Sequence, residues 1–294
     1  MELLQLKYFV ELAEQEHLTK VATMMFVSPP AISSSINRLE SELGVKLFFR
    51  EGRNIRLSPY GKVFLVHAKK CLREIEDGKK ELNDMNSAAT TNKSLIVATT
   101  NPYIWNRQVY NFSLQHPEIK LKTIAHDTIN EKKPGHEIEL LIASSQSFSD
   151  DNWNSKLLFV DRLAVAVPPQ CHLYEKDSVT FDELQDEWLI DLSDTAFNEY
   201  IHSLCKKRGF VPKSRISCDY TLRPRISLNE GIPFITTFNC QSVDLFENLK
   251  FIPLTDEDAF RTQAIFWRKD RYISAAAQLF IDYLVDFYQD YQPF

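Results

Sequence analysis

Only seven of the 294 residues are glycine, and none of them builds a Walker loop for phosphate. There is no G-x-S-x-G elbow and no Cys–His nucleophile signature, so no local pattern of an enzyme is present. The five cysteines (Cys71, Cys171, Cys205, Cys218, Cys240) are odd in number, widely spaced and never in a C-x-x-C pair. They suggest neither a disulfide framework nor a zinc site, and reduced thiols are the expectation. The seven histidines are equally dispersed, so no metal centre or resident cofactor is expected. No apolar run approaches the roughly 20 residues that span a bilayer. The start, MELLQLKYFVELAEQE, lacks a basic region followed by an apolar core, and the chain is therefore expected to be cytoplasmic with no membrane partner. No internal repeat is found.

What is present is ordinary globular composition, 44% hydrophobic and 25% charged, at a length that suits two or three cores. The net charge of −6 argues against a polyanionic partner only until its distribution is considered. Between His17 and Lys62 the balance is +4, whereas the chain beyond residue 62 carries all of the net negative charge. A basic module on an acidic body suits a nucleic-acid reader with a second task.

The first sixty residues read as short helices and a hairpin. Leu6, Phe9, Val10 and Ala13 share one helix face, and Thr19 is the candidate cap of a second helix. In "SPPAISSSINRLESELG" (28 to 44), Ile32, Ile36, Leu39 and Leu43 form an apolar stripe that ends at Gly44. Ser28 before Pro29 has the backbone of an N-cap, and its hydroxyl can cap only through the Ala31 N–H, since prolines occupy 29 and 30. Opposite the stripe lie Pro30, Ser34, Asn37 and Ser41, with Arg38 at the shoulder. Weak helix formers on an exposed face fit a surface that enters the major groove and hydrogen-bonds base edges. "VKLFFREGRNIRLSP" then alternates as a hairpin whose Arg50, Arg53 and Arg56 can clamp phosphates. The candidate DNA-contacting residues are Ser28, Pro30, Ser33, Ser34, Asn37, Arg38, Arg50, Arg53 and Arg56.

From Ser58, a heptad seam of Phe64, Ala68, Cys71, Ile75, Gly78, Leu82 and Met85 predicts a long helix that pairs with the same helix of a second chain. "NSAATTNKS" (86 to 94) reads as a linker. Strands are predicted at Leu95–Thr99, Lys120–Ala125, Ile138–Ala143, Leu163–Val167, Trp188–Asp191, Arg215–Asp219, Phe234–Thr237 and Ala264–Trp267. Helical patterns lie between most of them, one announced by a capping box at Thr180–Glu183, one from Asn198 to Gly209 and the last from Ser274. The alternation predicts an α/β architecture with mainly parallel sheets in two lobes.

Residues 18 to 61 resemble the winged helix-turn-helix of the LysR-type transcriptional regulators, with S-x-P-A-[IL]-S, LE-x-ELG-V-x-LF-x-R and LS-P-x-G all in place. "HPEIKL", "GHEIELLI", "VAVPPQCHLY", "FDELQDEWLI", "NEGIPFIT" and "FWRKDRYISAAAQLFIDYL" resemble that family's effector-domain landmarks in order. The resemblance implies a mixed fold: a DNA-binding domain (1–58), a dimerising linker helix (59–89) and an effector domain (92–294) resembling periplasmic binding proteins. Within the last, lobe I would be about 92–162 plus 267–294, and lobe II about 163–266. It further implies promoter DNA as partner, a homodimer or homotetramer, and a small-molecule effector, a carboxylate by default. Three departures stand out: Pro29 where Gln is usual, Ser34 and Ser35 in place of long polar side chains, and Glu16-His17 where Gly-Ser is typical.

Thr99, Thr100 and Asn101 end the first strand of the effector domain, and helix N-termini facing a cleft hold anions. By resemblance, Thr100 and Thr128 match effector-contacting positions, and Ser193, Thr195 and Phe234 are candidates from the second lobe. A thiol redox sensor of the same fold is the alternative, because Cys205 lies near the place of one sensing cysteine. Thr195 takes the place of the other.

Overall fold

The computed structural model describes residues 1–51, 54–86, 93–100, 102–126, 138–192, 194–216, 225–238 and 248–291. The chain divides into two compact units, Met1–Asn86 and Ser87–Phe294.

The first unit runs α1 (Leu3–Gln15), α2 (Leu18–Met24), α3 (Pro29–Leu43), a two-stranded wing of β1 (Phe48–Glu51) and β2 (Asn54–Leu57), and α4 (Pro59–Met85). Its core takes Leu6, Phe9, Val10 and Ala13 from α1 and Ile32, Ile36 and Leu39 from α3, as their spacing predicts. Phe9 is the hub, with its ring 5.6 Å from Phe48 of the wing and 5.2 Å from Phe64 of α4. Each fully buried side chain of this kind stabilises by about 1.5–3 kcal/mol. Gly44 stops α3 at φ 72°, and its N–H bonds to the Glu40 carbonyl.

Two caps differ from expectation. His17, not Thr19, caps α2, its Nδ1 accepting from the Lys20 N–H at 3.1 Å. The Ser28 hydroxyl caps nothing, since the Ala31 N–H turns to the Ser28 carbonyl at 3.0 Å. The seam on α4 is also divided in use. Phe64 and Ala68 are spent on the unit's own core, whereas Cys71, Leu82 and Met85 are exposed and Gly78 faces open space.

The second unit holds one continuous sheet in the order β4-β3-β5-β11-β6-β9-β7-β8, with β10 also on β6. The strands are β3 (Lys93–Thr99), β4 (Ile119–Ala125), β5 (Leu140–Ser144), β6 (Trp153–Val167), β7 (Trp188–Asp191), β8 (Lys213–Ile216), β9 (Ile232–Thr236), β10 (Lys250–Pro253) and β11 (Phe260–Arg268). Helices α5 (Pro102–Gln115), α6 (Thr195–Lys207) and α7 (Ala275–Tyr288) cover it. The sheet is not mainly parallel. β3 pairs parallel with β4 and β5, and β7 with β8 and β9, but the middle of the sheet is antiparallel, β11 to β5 and β6, and β6 to β9 and β10. The reason is β6, which is 15 residues long and serves both lobes. Its first part pairs with β11 over one apolar core of α5 and α7 side chains, and its end joins the core that α6 covers. The box at Thr180 does form, with the Glu183 carboxylate accepting the Thr180 N–H at 2.9 Å, yet it opens only a single 3-10 turn, Asp182–Leu184.

Gly61, in the first turn of α4, has no room for a side chain. A Cβ there would lie 2.2 Å from the Leu47 carbonyl oxygen, which already accepts the Ser58 N–H at 2.8 Å. Gly61→Ala is expected to destabilise the first unit by about 1–3 kcal/mol or more through overpacking against backbone. Urea denaturation of the full chain checks this, and an unchanged midpoint would refute the close approach.

Candidate functional site

Pro30, Ser33, Ser34, Asn37, Arg38 and Ser41 line one shallow, open depression along α3. The helix presents them because Ile32, Ile36 and Leu39, on its other side, are buried. Ser41 donates to the Asn37 carbonyl at 2.8 Å. Among the described residues, the side chains of Ser33, Ser34, Asn37 and Arg38 make no hydrogen bond or ion pair, so their donors and acceptors face outward. Ser28 is exposed at the head of the same helix. With prolines at its first two positions, α3 offers only Ala31 and Ile32 as early donors, and both turn to the Ser28 carbonyl. The helix end therefore has little to give a phosphate.

The wing follows in the register Phe48↔Leu57, Phe49↔Arg56, Arg50↔Ile55 and Glu51↔Asn54. Arg53 and the Arg50 side chain lie outside the described residues. Arg56 is described, and it is engaged: its Nη1 pairs with Glu16 Oε2, and Glu16 Oε1 accepts the Leu57 N–H at 3.0 Å. Those bonds hold the Glu16 carboxyl below its usual range, the Leu57 N–H first and Arg56 second. The other strand is held by Glu40, which is 5% exposed. Its Oε1 accepts the Leu47 and Phe48 N–H groups at 2.9 and 3.2 Å, and its Oε2 pairs with Lys46 Nζ at 2.6 Å. In the sequence Glu16 stood out only as a departure from the family pattern, with no role attached, and Glu40 not at all. A Glu in a helical pattern reads as a solvated side chain, and no local signal reports partners 7 to 41 residues away.

In the second unit, buried polar side chains sit near the ends of neighbouring strands, Thr99 of β3, Ser144 of β5 and Arg261 and Gln263 of β11, and Asp161 is buried midway along β6. Thr100 follows Thr99 and is partly exposed. Asn101, Thr128 and Ser193 lie outside the described residues. Thr195 is exposed at the first turn of α6. Phe234 sits in the apolar core of lobe II, 4% exposed and stacked 5.2 Å from Phe181, and offers a polar ligand nothing.

Missing from the sequence reading was the acid–base cluster at the lobe junction. Asp194 caps α6 through the Phe197 N–H at 3.0 Å, a signal that an Asp before a helical run could have given. Its other oxygen meets Arg261 Nη2 at 3.2 Å, and that guanidinium lies over the Phe197 ring. The anion-binding end of α6 is thus already filled by the chain's own carboxylate, which weakens the default expectation of a carboxylate effector at this helix. Asp161, opposite Arg261 in register, is fully buried. Its Oδ1 accepts from Thr237 Oγ1 at 2.6 Å, the Phe238 N–H at 3.0 Å and the Tyr291 hydroxyl at 3.4 Å, while Oδ2 is buried without a hydrogen bond among the described residues. Burial pushes the Asp161 carboxyl above its ordinary range, against the pull of the Thr236 and Thr237 hydroxyls, the Phe238 N–H and Arg261. Cys205 is fully buried, and burial raises its thiol to about 11.

Two family models match the chain: a bacterial regulatory helix-turn-helix protein model, lysR family, over residues 3–62, and a LysR substrate binding domain model over residues 96–289. The transcriptional dual regulator GltC of Bacillus subtilis is 26% identical over 300 residues, 100% of each chain. The regulator BenM of Acinetobacter baylyi is 26% identical over 268 residues, 88% of this chain and 87% of its own. Among solved structures, a full-length OxyR variant of Pseudomonas aeruginosa matches with a TM-score of 0.71 at 23% identity, over 97% of this chain and 94% of that one. CbnR, a LysR family transcriptional regulator, matches with 0.64 at 17%, over 99% and 100%. At such identities these two structures show the fold.

The folded chain holds the Asp161 proton more tightly than the unfolded chain does. The group therefore favours folding at low pH, and that contribution is lost as pH rises through the raised pKa. Asp161→Asn, which cannot ionise, is expected to remove this part of the fall in stability as pH rises from the ordinary carboxylate pKa of about 4 toward neutrality. Denaturant titrations of both proteins across that range check it; the same pH dependence in each would refute a tightly held proton.

Proposed function

Because the chain belongs to the LysR family of DNA-binding transcriptional regulators, with its helix-turn-helix and its effector-binding domain both matched, we propose that the outward face of α3 reads base edges in the major groove. One observation carries this reading: Ser33, Ser34, Asn37 and Arg38 stand side by side on one helix with no partner among the described residues. Asn37 suits an adenine edge, Arg38 a guanine edge, and the Pro30 ring a thymine methyl. Arg50 and Arg53 on the wing supply phosphate contacts. The structural relative CbnR has been solved in complex with its target DNA.

Two copies join through the part of α4 that the first unit leaves uncovered, around Cys71, Leu82 and Met85. A small-molecule effector binds between the lobes, near Thr99, Thr100, Asn101 and Thr128 on one side and Ser193 and Thr195 on the other, and changes how the assembly holds promoter DNA. Thiol sensing is the weaker reading, since a buried thiol raised to about 11 supplies almost no thiolate at neutral pH. The relatives are regulators, not enzymes. Among the described residues, no helix is long and apolar enough to cross a membrane.

Fluorescence anisotropy on duplexes from upstream of the chain's own and adjacent genes, against scrambled duplex, tests the proposal. A clear preference is expected, and Asn37→Ala should reduce binding of the preferred site by about 1–3 kcal/mol while leaving scrambled duplex nearly unaffected. Equal losses on both would refute base reading, and no preference in the wild type would refute the function.

A further inference from the structure

Arg56 belongs to the wing, where a cation would be expected to meet a phosphate, yet Glu16 holds it. Glu16 is well placed to do so. It ends α1 in the left-handed region, at φ 46°, and commits both carboxylate oxygens to consecutive residues of β2, Leu57 through its N–H and Arg56 through its guanidinium. Lys62, at the start of α4, adds to the positive field around it. The neighbouring His17 fixes the other side of the same corner by capping α2. The Glu16-His17 pair thus ties the α1–α2 corner to the wing and to α2 at once.

We propose that Glu16 is a positioning residue that braces β2 against the helix-turn-helix and withholds Arg56 from DNA, so that the wing attracts any duplex less while its placement is kept. The inference rests on the DNA-binding reading above. An exposed ion pair alone would be too weak to keep Arg56 from a phosphate. Pulling Arg56 away, however, would leave the Glu16 carboxylate, still held by the Leu57 N–H, unneutralised beside a polyanion. The pair is therefore retained in the complex.

The two halves are tested separately on the full chain. Glu16→Gln keeps an acceptor for the Leu57 N–H but loses the charge. It is expected to steepen the log–log salt dependence of DNA binding by about 0.9 and to tighten binding to scrambled duplex, so that the specific-to-scrambled ratio falls. Arg56→Ala in the wild type should leave the slope unchanged, and in the Glu16→Gln background should restore it. A slope reduced by about 0.9 in Arg56→Ala alone would place Arg56 on a phosphate and overturn the proposal. The brace is read without DNA by hydrogen exchange. Glu16→Ala should lose protection at the Leu57 amide while Arg56→Ala keeps it; equal protection in both overturns that half.

Discussion

The carboxylate of Glu40 makes the base-reading helix and the wing one object. It is almost fully buried, which for a lone charge would cost several kcal/mol, and it is tolerated because two backbone N–H groups and Lys46 surround it. The bonds reach Leu47 and Phe48 just after the chain reverses at Gly44, so the direction of β1 is set from the end of α3. Ser58 secures the same segment from the other side, its hydroxyl donating to the Lys46 carbonyl at 2.6 Å and accepting the Gly61 N–H at 2.9 Å. Without Glu40 each buried N–H would be left unpaired, at about 1–3 kcal/mol apiece. Phe48, fixed in this way, delivers its ring to Phe9, and the core closes behind the helix.

The lobe junction of the effector unit uses the same chemistry with a different outcome. Asp194 and Asp161, like Glu16 and Glu40, accept backbone N–H groups. In the DNA-binding unit each such carboxylate also contacts a cation, Arg56 or Lys46. At the junction Arg261 pairs with Asp194 rather than with Asp161, and its Nε and the Oδ2 of Asp161, on directly opposed residues of two strands, are both buried without a hydrogen bond among the described residues. Among the described residues, the buried side-chain atoms left unbonded all belong to the effector unit. Unsatisfied polar groups weaken a packed interior, and the two on the β6–β11 pair make that crossing easier to rearrange than the braced wing.

Local pattern made α3 legible almost in full. The apolar spacing, the Ser-Pro start and the Gly44 stop are properties of one helix, and so is the polar face left over. Caps were read less well because the usual preference favours Thr19 over a histidine ring that performs the same bond. The antiparallel middle of the large sheet was missed because β6 begins as "WNSKLLF", whose opening residues are largely exposed and carry no apolar run. β10, four residues ending in proline, has too little pattern to find. Glu16, Glu40, Asp161 and Arg261 were missed for a common reason: each is defined by a partner brought near by the fold, and a charged residue considered alone reads as solvated.

These pairings bear on how an acidic chain can hold DNA. Lys46 and Arg56 contribute to the +4 balance of residues 17 to 62, but both are committed to glutamates and project little free charge. Arg38 makes no ion pair among the described residues, and it lies on the outward face of α3. The α3 face itself carries a single cation, Arg38, so that face gains little from counterion release, and its neutral serine and asparagine side chains contribute direction more than strength. On the reading proposed above, strength comes from the wing arginines and from joining copies, since a second module held on the same duplex binds at high effective concentration and multiplies a weak contact. On the same reading, the uncovered stretch of α4 serves the α3 surface, because a polar face with one cation selects a site more sharply when it is presented more than once.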